Sequence, residues 1–274
     1  MKTIAVLITS FNRKVKTMKC LEKLFAQNSA NFLLRVFLVD DGSSDGTSAA
    51  ISKEYPQVQI IEGDGCLYWN RGMHKSWTEA VKYDNDFYLW LNDDTYLYKN
   101  AIKNMLETSS KVGGGAIIVG STCSILNENL TTYGGRRGQK VIQIHGNEIM
   151  ECSTFNGNFV LIPNSVYNKL GKLDYKFRHS FGDIEYGMRA INNNIKIYIS
   201  PYHVGTCEHH DSIITCFSPE TNILVRFKHF YSPLGMNPQE FFYMNLKYKG
   251  FFIASKIFIS THLRVLFPKL WLIK

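Results

Sequence analysis

The sequence lacks a Cys-x-x-Cys motif, in which two residues separate the cysteines of zinc ribbons and thioredoxin-like redox sites. Its six cysteines are widely separated, which favours buried free thiols in a reducing compartment. Internal repeats and low-complexity tracts are also missing. With 274 residues, 45% of them hydrophobic, the chain is long enough to bury a large core. These absences exclude a disordered chain, a solenoid and a small cysteine-stapled domain.

Long apolar runs are also missing. The run at residues 3–9 is too short for a signal segment and has no cleavage site of small residues, so it predicts a buried first strand. Towards the other end, the longest uncharged stretch extends from residue 257 to residue 263, far short of a membrane span. We therefore expect a cytoplasmic protein without a spanning helix.

Acidic residues are missing from residues 247–274, which contain six basic side chains: Lys247, Lys249, Lys256, Arg264, Lys269 and Lys274. Removing these six from the 31 basic residues of the chain leaves 25 against 23 acidic ones, so the net charge of +8 belongs mostly to this tail. Concentrated basic charge mixed with aromatic and aliphatic residues favours an anionic membrane surface over nucleic acid. We expect peripheral attachment to the inner face of the cell membrane. A C-terminal helix packed on the body is the alternative.

The first hundred residues alternate between strand and helix patterns. Strands are predicted at 4–9, 33–39, 58–62 and 87–91, and helices at 14–27, 48–54 and 73–82. This order predicts an α/β fold with parallel strands, in which ligands bind beyond the carboxyl ends of the strands.

The second part of the chain is less regular. It predicts strands at 116–120, 159–162 and 195–199, a Gly/Arg-rich loop at 133–138, and helices after Pro163 and within 180–192. We divide the chain into 1–100, 101–235 and 236–274. The expected architecture is a single mixed sheet flanked by helices, with a helical basic tail.

Polar clusters follow three predicted strands, at residues 10–13, 40–47 and 92–95. Adjacent carboxylates such as Asp93 and Asp94 suit Mg²⁺ or Mn²⁺, which take hard oxygen ligands and bridge phosphate oxygens. An isolated pair of this kind is usually a solvated acidic turn. Its position after a buried strand, together with the two other polar strand ends, favours a binding site.

Two further carboxylate groups have open interpretations. Asp41 could accept a hydrogen bond from a ribose hydroxyl or a nucleobase N–H, while Ser43, Ser44 or Asp45 could cap the following helix. Asp183 and Glu185 are candidate general bases or simply charges at a helix N-terminus, and the residues alone do not decide between these roles.

Histidines and aromatic residues also have two interpretations. His203, His209 and His210 follow a strand, with Glu208 and Asp211 nearby, so one histidine could complete a metal shell or all could be polar loop residues. The aromatic pair Tyr68 and Trp69 could stack on a base or a sugar, or could belong to the core.

Five stretches together resemble a known family. They are TSFNR at 9–13, VDDGSSDGT at 39–47, LNDDT at 91–95, FNGN at 155–158 and GDIEYGMR at 182–189. A further stretch, GCLYWNRGM at 65–73, resembles a variant of another segment of that family. Each is weak alone, but the ordered set is specific. The chain resembles the family 2 glycosyltransferases, inverting enzymes with the GT-A fold, and especially bacterial polysaccharide and O-antigen transferases.

The resemblance implies roles for individual positions. Asp41 matches the carboxylate that binds the nucleobase, and Asp94 matches the metal-binding end of the DxD-type motif. Asn92 stands where the first Asp of that motif often is. Asp183 matches the catalytic base, with Gly182 in place of the usual Glu. The remaining expected contacts are Thr9, Asn12, Arg13, Trp69, Arg71, Asn92 and Asp93 for the donor, Asn156, Gly157, Asn158 and Glu185 for the acceptor, and His209 as a further metal ligand.

The resemblance implies transfer of a sugar from a nucleoside diphosphate sugar, with UDP or dTDP as the nucleotide. The acceptor would be a hydroxyl of a saccharide, in lipid-linked form, during bacterial surface polysaccharide synthesis. Residues 1–100 would bind the nucleotide sugar, 101–235 would bind the acceptor and hold the base, and 236–274 would contact the membrane. Alternatives are a sugar-phosphate nucleotidyltransferase, whose Gly-rich basic phosphate loop is missing after the first strand, and a non-catalytic nucleotide-sugar or glycan-binding protein.

Overall fold

The computed structural model describes residues 1–27, 31–144, 146–209 and 215–271. Its strands are β1 (Lys2–Ser10), β2 (Phe32–Asp40), β3 (Gln59–Glu62), β4 (Phe87–Leu91), β5 (Tyr96–Leu97), β6 (Ile117–Cys123), β7 (Thr131–Tyr133), β8 (Gly135–Arg137), β9 (Lys140–Val141), β10 (Met150–Glu151), β11 (Thr154–Phe155), β12 (Phe159–Pro163) and β13 (Ile197–Thr206).

The helices flank these strands and continue beyond them. They are α1 (Lys14–Phe25), α2 (Thr47–Glu54), α3 (Tyr68–Ala80), α4 (Ala101–Lys111), α5 (Asn164–Leu170), α6 (Gly182–Asn192), α7 (Ile223–Tyr231), α8 (Pro238–Lys249) and α9 (Phe251–Leu266), with 3₁₀ turns at Thr215–Phe217 and Pro268–Trp271.

One mixed sheet organises the chain, in the order β10-β13-β6-β12-β4-β1-β2-β3, with β5 beside β13 and β7 beside β6. β1 is parallel to β2 and β4, whereas β12 is antiparallel to β4 and β6. The pairing of β4 with β12 joins the first hundred residues to the second part, so both contribute to one sheet. The expected α/β fold with a mixed sheet flanked by helices and a helical C-terminus is confirmed. The sheet is not the single one expected, because β11, β8 and β9 form a second, three-stranded sheet.

The two faces of the sheet bury separate apolar cores. Along β4, Tyr88 and Trp90 lie in the core on the α3 and α6 side, while Leu89 and Leu91 lie in the core on the α1 and α4 side. This alternation is the period-two pattern of a strand buried on both faces. Trp90 packs edge-on against Trp77 in α3, which fixes that helix over the sheet.

Three element boundaries differ from the sequence-based expectation. Helix α3 begins at Tyr68, five residues before the predicted start, because its N-terminus is capped by a residue distant in sequence, described below. Strand β13 extends to Thr206. The loop expected at 133–138 contains β8, which lies so close to β13 that a Cβ at Gly135 would be 2.5 Å from Ile199 Cδ1.

The C-terminal part is helical, as expected. Helix α8 packs on the body of the protein, and α9 follows it after Gly250, whose φ of 82° is in the left-handed region. Within the described residues, no helix is both long enough and apolar enough to cross a bilayer.

Candidate functional site

The carboxyl ends of the parallel strands lie level with one another. Ser10 at the end of β1 is in register with Asp40 at the end of β2, which is in register with Glu62 at the end of β3. Beside them, the N–H of Asn92 just after β4 donates to the carbonyl oxygen of Asn158 just before β12 (3.0 Å). The polar clusters predicted at separate strand ends therefore converge on one edge of the sheet.

The loops after β1 and β2 are fastened to each other. The Asn12 N–H donates to Ser43 Oγ (2.8 Å), and Asn12 Oδ1 accepts from the Ser44 N–H (2.8 Å). Asp45 Oδ2 accepts from the N–H of Lys14 at the start of α1 (2.9 Å). The amide oxygen of Asn12, a residue expected to contact the donor, thus holds the two loops together.

Asp41 caps helix α3. Its carboxylate is 3% exposed and accepts from the backbone N–H groups of Gly65 (3.0 Å), Leu67 (2.9 Å) and Tyr68 (3.0 Å). These N–H groups have no partner inside the helix, so the carboxylate satisfies them and complements the helix dipole. Oδ2 accepts two of these hydrogen bonds and Oδ1 accepts one, so Oδ1 keeps a lone pair for a ligand N–H.

Arg13 lies between the two adjacent carboxylates after β4. Its Nη1 is 2.9 Å from Asp93 Oδ1 and 2.9 Å from Asp94 Oδ2, and both carboxylates are buried, at 4% and 6% exposure. Burial raises the pKa of Asp93, and Arg13 opposes that rise. Burial likewise opposes the charge of Arg13, yet the two carboxylates raise its pKa above the ordinary value. The three side chains form one ionic unit, in which the carboxylates are buried and Arg13 is partly exposed.

The donor set at this unit fits a hard divalent cation in kind, since Asp93 and Asp94 offer carboxylate oxygens. Among the described residues, the number of such ligands is too small for a complete metal site. Across 1–27, 31–144, 146–209 and 215–271 no three His, Cys, Asp or Glu residues are grouped as metal ligands. The other oxygen of Asp94 accepts from Cys207 Sγ (3.7 Å). A cation could therefore reach Asp94 only after Arg13 releases it.

The histidines expected near the metal have other neighbours. His209 is exposed, with its ring 5.2 Å from that of Tyr133, and His203 Nε2 lies 2.9 Å from Thr131 Oγ1. His210 and Asp211 lie outside the described residues.

Trp69 connects the carboxylate pair to the second part of the site. Its Nε1–H donates to Asn92 Oδ1 (2.8 Å), which fixes the indole beside the end of β4. On the six-membered ring of the indole, a Cβ on Gly157 would lie 2.5 Å from Trp69 Cζ2 and 3.5 Å from Asp183 Cβ. Asn92, expected at the first position of a metal motif, is thus the residue that orients Trp69. Trp69 therefore contacts both Asn92, which precedes Asp93, and Gly157, which lies against Asp183.

Asp183 is in the first turn of α6 and is held by backbone groups. Its Oδ2 accepts from the Gly157 N–H (3.0 Å) and its Oδ1 from the Ile184 N–H (2.8 Å). Burial raises the pKa of Asp183, and these two N–H groups partly offset the rise. A fixed carboxylate of raised pKa, still partly exposed, is suited to accepting a proton.

Gly182 precedes Asp183 at the position where the resemblance leads us to expect a glutamate, and its surroundings leave no room for a larger side chain. A Cβ at this position would lie 1.8 Å from Oδ1 of Asn70, a fully buried residue in α3. Asn70 Nδ2 donates to the carbonyl oxygens of Asp174 (2.9 Å) and Phe177 (2.8 Å). Asn70 therefore occupies the space that a larger side chain at position 182 would need.

Among the expected acceptor residues, Gly157 donates to Asp183, and Asn156 and Asn158 are its sequence neighbours. Asn156 Oδ1 accepts from Arg136 Nη1 (3.3 Å), and Asn158 Nδ2 is 3.4 Å from Cys207 Sγ. Arg136 itself exerts a charge effect on Asp183 that lowers its pKa, after burial and the backbone N–H groups. Sequence reasoning noted only a Gly/Arg-rich loop here and missed Arg136 as a neighbour of the site.

Two expected donor residues pack at the N-terminus of α3. A Cβ at Gly72 would lie 2.2 Å from Thr9 Oγ1, so the end of β1 touches the helix directly. Arg71 Nε donates to the carbonyl oxygen of Tyr175 (3.1 Å), and its guanidinium lies 4.8 Å from the centre of the Tyr175 ring.

Glu185 is in a different environment from the one expected. Its side chain has no exposed surface, and its oxygens accept from Arg189 Nη2 (2.8 Å), Lys247 Nζ (2.7 Å) and the Tyr248 hydroxyl (2.7 Å). These contacts leave no surface for an acceptor, so they do not favour the expected acceptor contact. Lys247 and Tyr248, 62 and 63 residues further along the chain, carried no sequence signal of this contact.

The family model described as Glycosyl transferase family 2 matches residues 5–170. Among solved structures, the crystal structure of S. aureus TarS 1-349 is similar at 15% identity and a TM-score of 0.56, covering 91% of this chain and 73% of that one. The crystal structure of GalNAc-T7 with UDP, GalNAc and Mn²⁺ is similar at 11% identity and a TM-score of 0.56. That match covers 75% of this chain and only 44% of the other. No curated protein matches the sequence.

We predict that Gly182→Ala destabilises the protein, because the new Cβ would overlap Asn70 Oδ1. The expected loss is about 1–3 kcal/mol in the free energy of unfolding, measured by urea denaturation. Gly115→Ala is the matched control, since a Cβ there meets open space, and it should stay within about 0.5 kcal/mol. Equal stability of the two variants would contradict the packing described.

Proposed function

This chain belongs to glycosyl transferase family 2 and has the GT-A fold, and on that basis we propose that it is an inverting glycosyltransferase. It would move a sugar from a nucleoside diphosphate sugar to a hydroxyl of a saccharide acceptor. The observation that carries the proposal is that Trp69 links the two carboxylate groups, since it donates to Asn92, next to Asp93, and lies against Gly157, whose N–H donates to Asp183. The transferred sugar would bind at the Trp69 ring.

In the proposed reaction, Asp183 accepts the proton of the acceptor hydroxyl. The hydroxyl oxygen attacks the anomeric carbon from the face opposite the diphosphate, the new glycosidic bond forms, and the bond to the diphosphate oxygen breaks. The diphosphate leaves with the electron pair of that bond, and the configuration at the anomeric carbon inverts. The two backbone hydrogen bonds to Asp183 hold its carboxylate in place for this role.

The negative charge of the leaving diphosphate would be offset at the Arg13–Asp93–Asp94 unit. Arg13 supplies a guanidinium there, whose planar donors suit phosphate oxygens. A Mg²⁺ or Mn²⁺ ion bound by Asp94, with Asp93 beside it, would add Lewis-acid stabilisation of the diphosphate. Mn²⁺ accompanies UDP in the GalNAc-T7 structure, which supports this assignment. When Arg13 moves to the phosphates, it leaves both carboxylates available.

We assign the donor to UDP or dTDP sugars, because Asp41 Oδ1 keeps a lone pair for the N3–H of uracil or thymine. UDP in the GalNAc-T7 structure supports the former. Gly157 donates to Asp183, and it is proposed to contact the acceptor together with its sequence neighbours Asn156 and Asn158. A lipid-linked saccharide in bacterial surface polysaccharide synthesis, of O-antigen type, is the proposed acceptor.

The last helix supports attachment to a membrane surface. Large apolar side chains are exposed on α9 and just after it: Phe251, Phe252, Ile253, Ile259, Leu263, Leu266, Phe267 and Leu270. They are interspersed with Lys256, Arg264 and Lys269, and residues 247–274 contain no acidic residue. Apolar surface flanked by basic charge complements an anionic lipid surface. We propose that α9 holds the enzyme at the inner face of the cell membrane, where a lipid-linked acceptor would be.

We predict that Asp183→Asn lowers kcat by roughly 10²–10⁴-fold with little change in nucleotide-sugar binding, because the amide cannot accept the proton. Release of nucleoside diphosphate and calorimetric binding measure the two effects. Asp84→Asn, at an exposed site, is the control and should keep full activity. An active Asp183→Asn enzyme would overturn the base assignment.

The raised pKa of Asp183 predicts two pH dependences. In the native protein, kcat should fall as the pH drops through that pKa, because protonated Asp183 accepts no proton. Folding also penalises the charged form, so Asp183→Asn should unfold at a higher temperature than the native protein near neutral pH. This difference should shrink as the pH falls and native Asp183 becomes neutral. A thermal melt series across pH measures it.

We predict that the Arg13→Met variant binds Mn²⁺ about ten-fold more tightly than the native protein when no nucleotide is present. In this variant no guanidinium competes with the ion for Asp93 and Asp94. Electron paramagnetic resonance of Mn²⁺ measures this without turnover. Lys14→Met removes the same charge from an exposed neighbouring site and is the control. Equal Mn²⁺ affinity in Arg13→Met and Lys14→Met would refute the competition.

We predict that Phe252→Ser combined with Phe267→Ser weakens binding to vesicles containing phosphatidylglycerol by at least about ten-fold, because both exposed rings would enter the interface. Sedimentation with vesicles measures the binding, and added salt should weaken it in the native protein. Leu126→Ser, which replaces an apolar residue exposed on the body, should bind like the native protein. Equal binding by all three proteins would refute the role of α9.

A further inference from the structure

Glu185 is the centre of a buried ionic cluster that joins α6 to α8. One oxygen pairs with Arg189 from the next turn of α6, and the other meets both Lys247 and Tyr248 from α8. Lys247 also pairs with Asp174 (3.2 Å). Burial opposes the charge of Lys247, yet Glu185 and Asp174 raise its pKa above the ordinary value. A fully buried carboxylate is costly when it loses a partner, so these contacts hold α8 against the start of α6.

Helix α8 also contacts residues 174–181, which lead into α6 and are called the connecting segment. Along α8, Glu240 pairs with Arg178 (2.6 Å), the ring of Phe241 stacks on that of Phe181, and the Tyr243 hydroxyl donates to Asp174 (3.0 Å). Together with the Glu185 cluster, these contacts fasten α8 along the whole approach to Asp183.

The connecting segment in turn holds the N-terminus of α3. The N–H of Asn70 donates to the Arg178 carbonyl oxygen (2.9 Å), and Asn70 Nδ2 donates to the carbonyl oxygens of Asp174 and Phe177. The residue before Asn70 is Trp69, which orients the site. One segment therefore lies between α8 on one side and both Trp69 and Asp183 on the other.

We propose that α8 is a positioning element of the active site, in which Lys247 and Tyr248 act through Glu185 to hold the first turn of α6 and the Asp183 carboxylate. This inference rests on the proposed function for its catalytic consequence. Glu185 is two residues from Asp183 and within the same turn, so loosening its pairs with α8 displaces the base relative to Trp69. Small displacements of a reacting group cost large factors in rate.

Hydrogen exchange tests the coupling without any substrate. Lys247→Met and Tyr248→Phe are separate variants, each of which removes one α8 partner of Glu185 and leaves Arg189 in place. We expect peptides covering residues 178–192 to exchange at least about three-fold faster in both variants than in the native full-length chain. Lys169→Met removes the same charge from an exposed site on α5 and should exchange like the native protein. Unchanged exchange at 178–192 in Lys247→Met and Tyr248→Phe would overturn the proposal.

Kinetics without vesicles test the consequence. We expect Lys247→Met to lower kcat about ten-fold with the KM for the nucleotide sugar changed less than about three-fold, and Lys247→Arg to restore most of the rate. Losses that match the unfolded fraction in both Lys247→Met and Tyr248→Phe, or a native kcat in both, would overturn the positioning role. Faster exchange in a chain whose native form transfers no sugar would instead overturn the proposed function and leave the coupling intact.

Discussion

The hydrogen bonds from Gly65, Leu67 and Tyr68 to the Asp41 carboxylate are the interaction on which the site depends. They fix where α3 starts and thus where Trp69 stands. A helix N-terminus left without partners would unwind its first turn, and that turn contains Trp69. The same carboxylate lies one residue after β2, so the sheet edge and the orientation of α3 are set together.

Much of the fold was predictable because its signals are local. The apolar runs of β1, β2 and β4 and the polar residues after them are contiguous in sequence, and parallel pairing brings their ends to one edge. The start of α3 was not predictable, because its cap, Asp41, comes from more than twenty residues earlier while the nearby Gly63 and Gly65 suggest a turn. The environment of Glu185 was hidden for the same reason: its partners come from a helix 62 residues later.

The pair formed by Gly182 and Asn70 explains the glycine at the start of α6. The resemblance leads us to expect a glutamate there, but the space is filled by the Asn70 amide from α3, which donates to carbonyl groups of the segment leading into α6. The glycine that weakens the motif in the sequence thus leaves room for the Asn70 side chain in the structure. Asp183 keeps its two backbone donors in this arrangement.

The ion pairs of Arg13 also have a consequence for the order of events at the site. With the guanidinium between Asp93 and Asp94, the three side chains carry a net charge of about −1 rather than −2. Under the proposed function, an empty site of this kind would attract free cations weakly and would not hold them between turnovers. Opening the ion pairs becomes favourable when a diphosphate offers the guanidinium a new partner, so cation and nucleotide would enter together. Under the proposed function, one arginine therefore makes the empty enzyme insensitive to fluctuations in free metal ions.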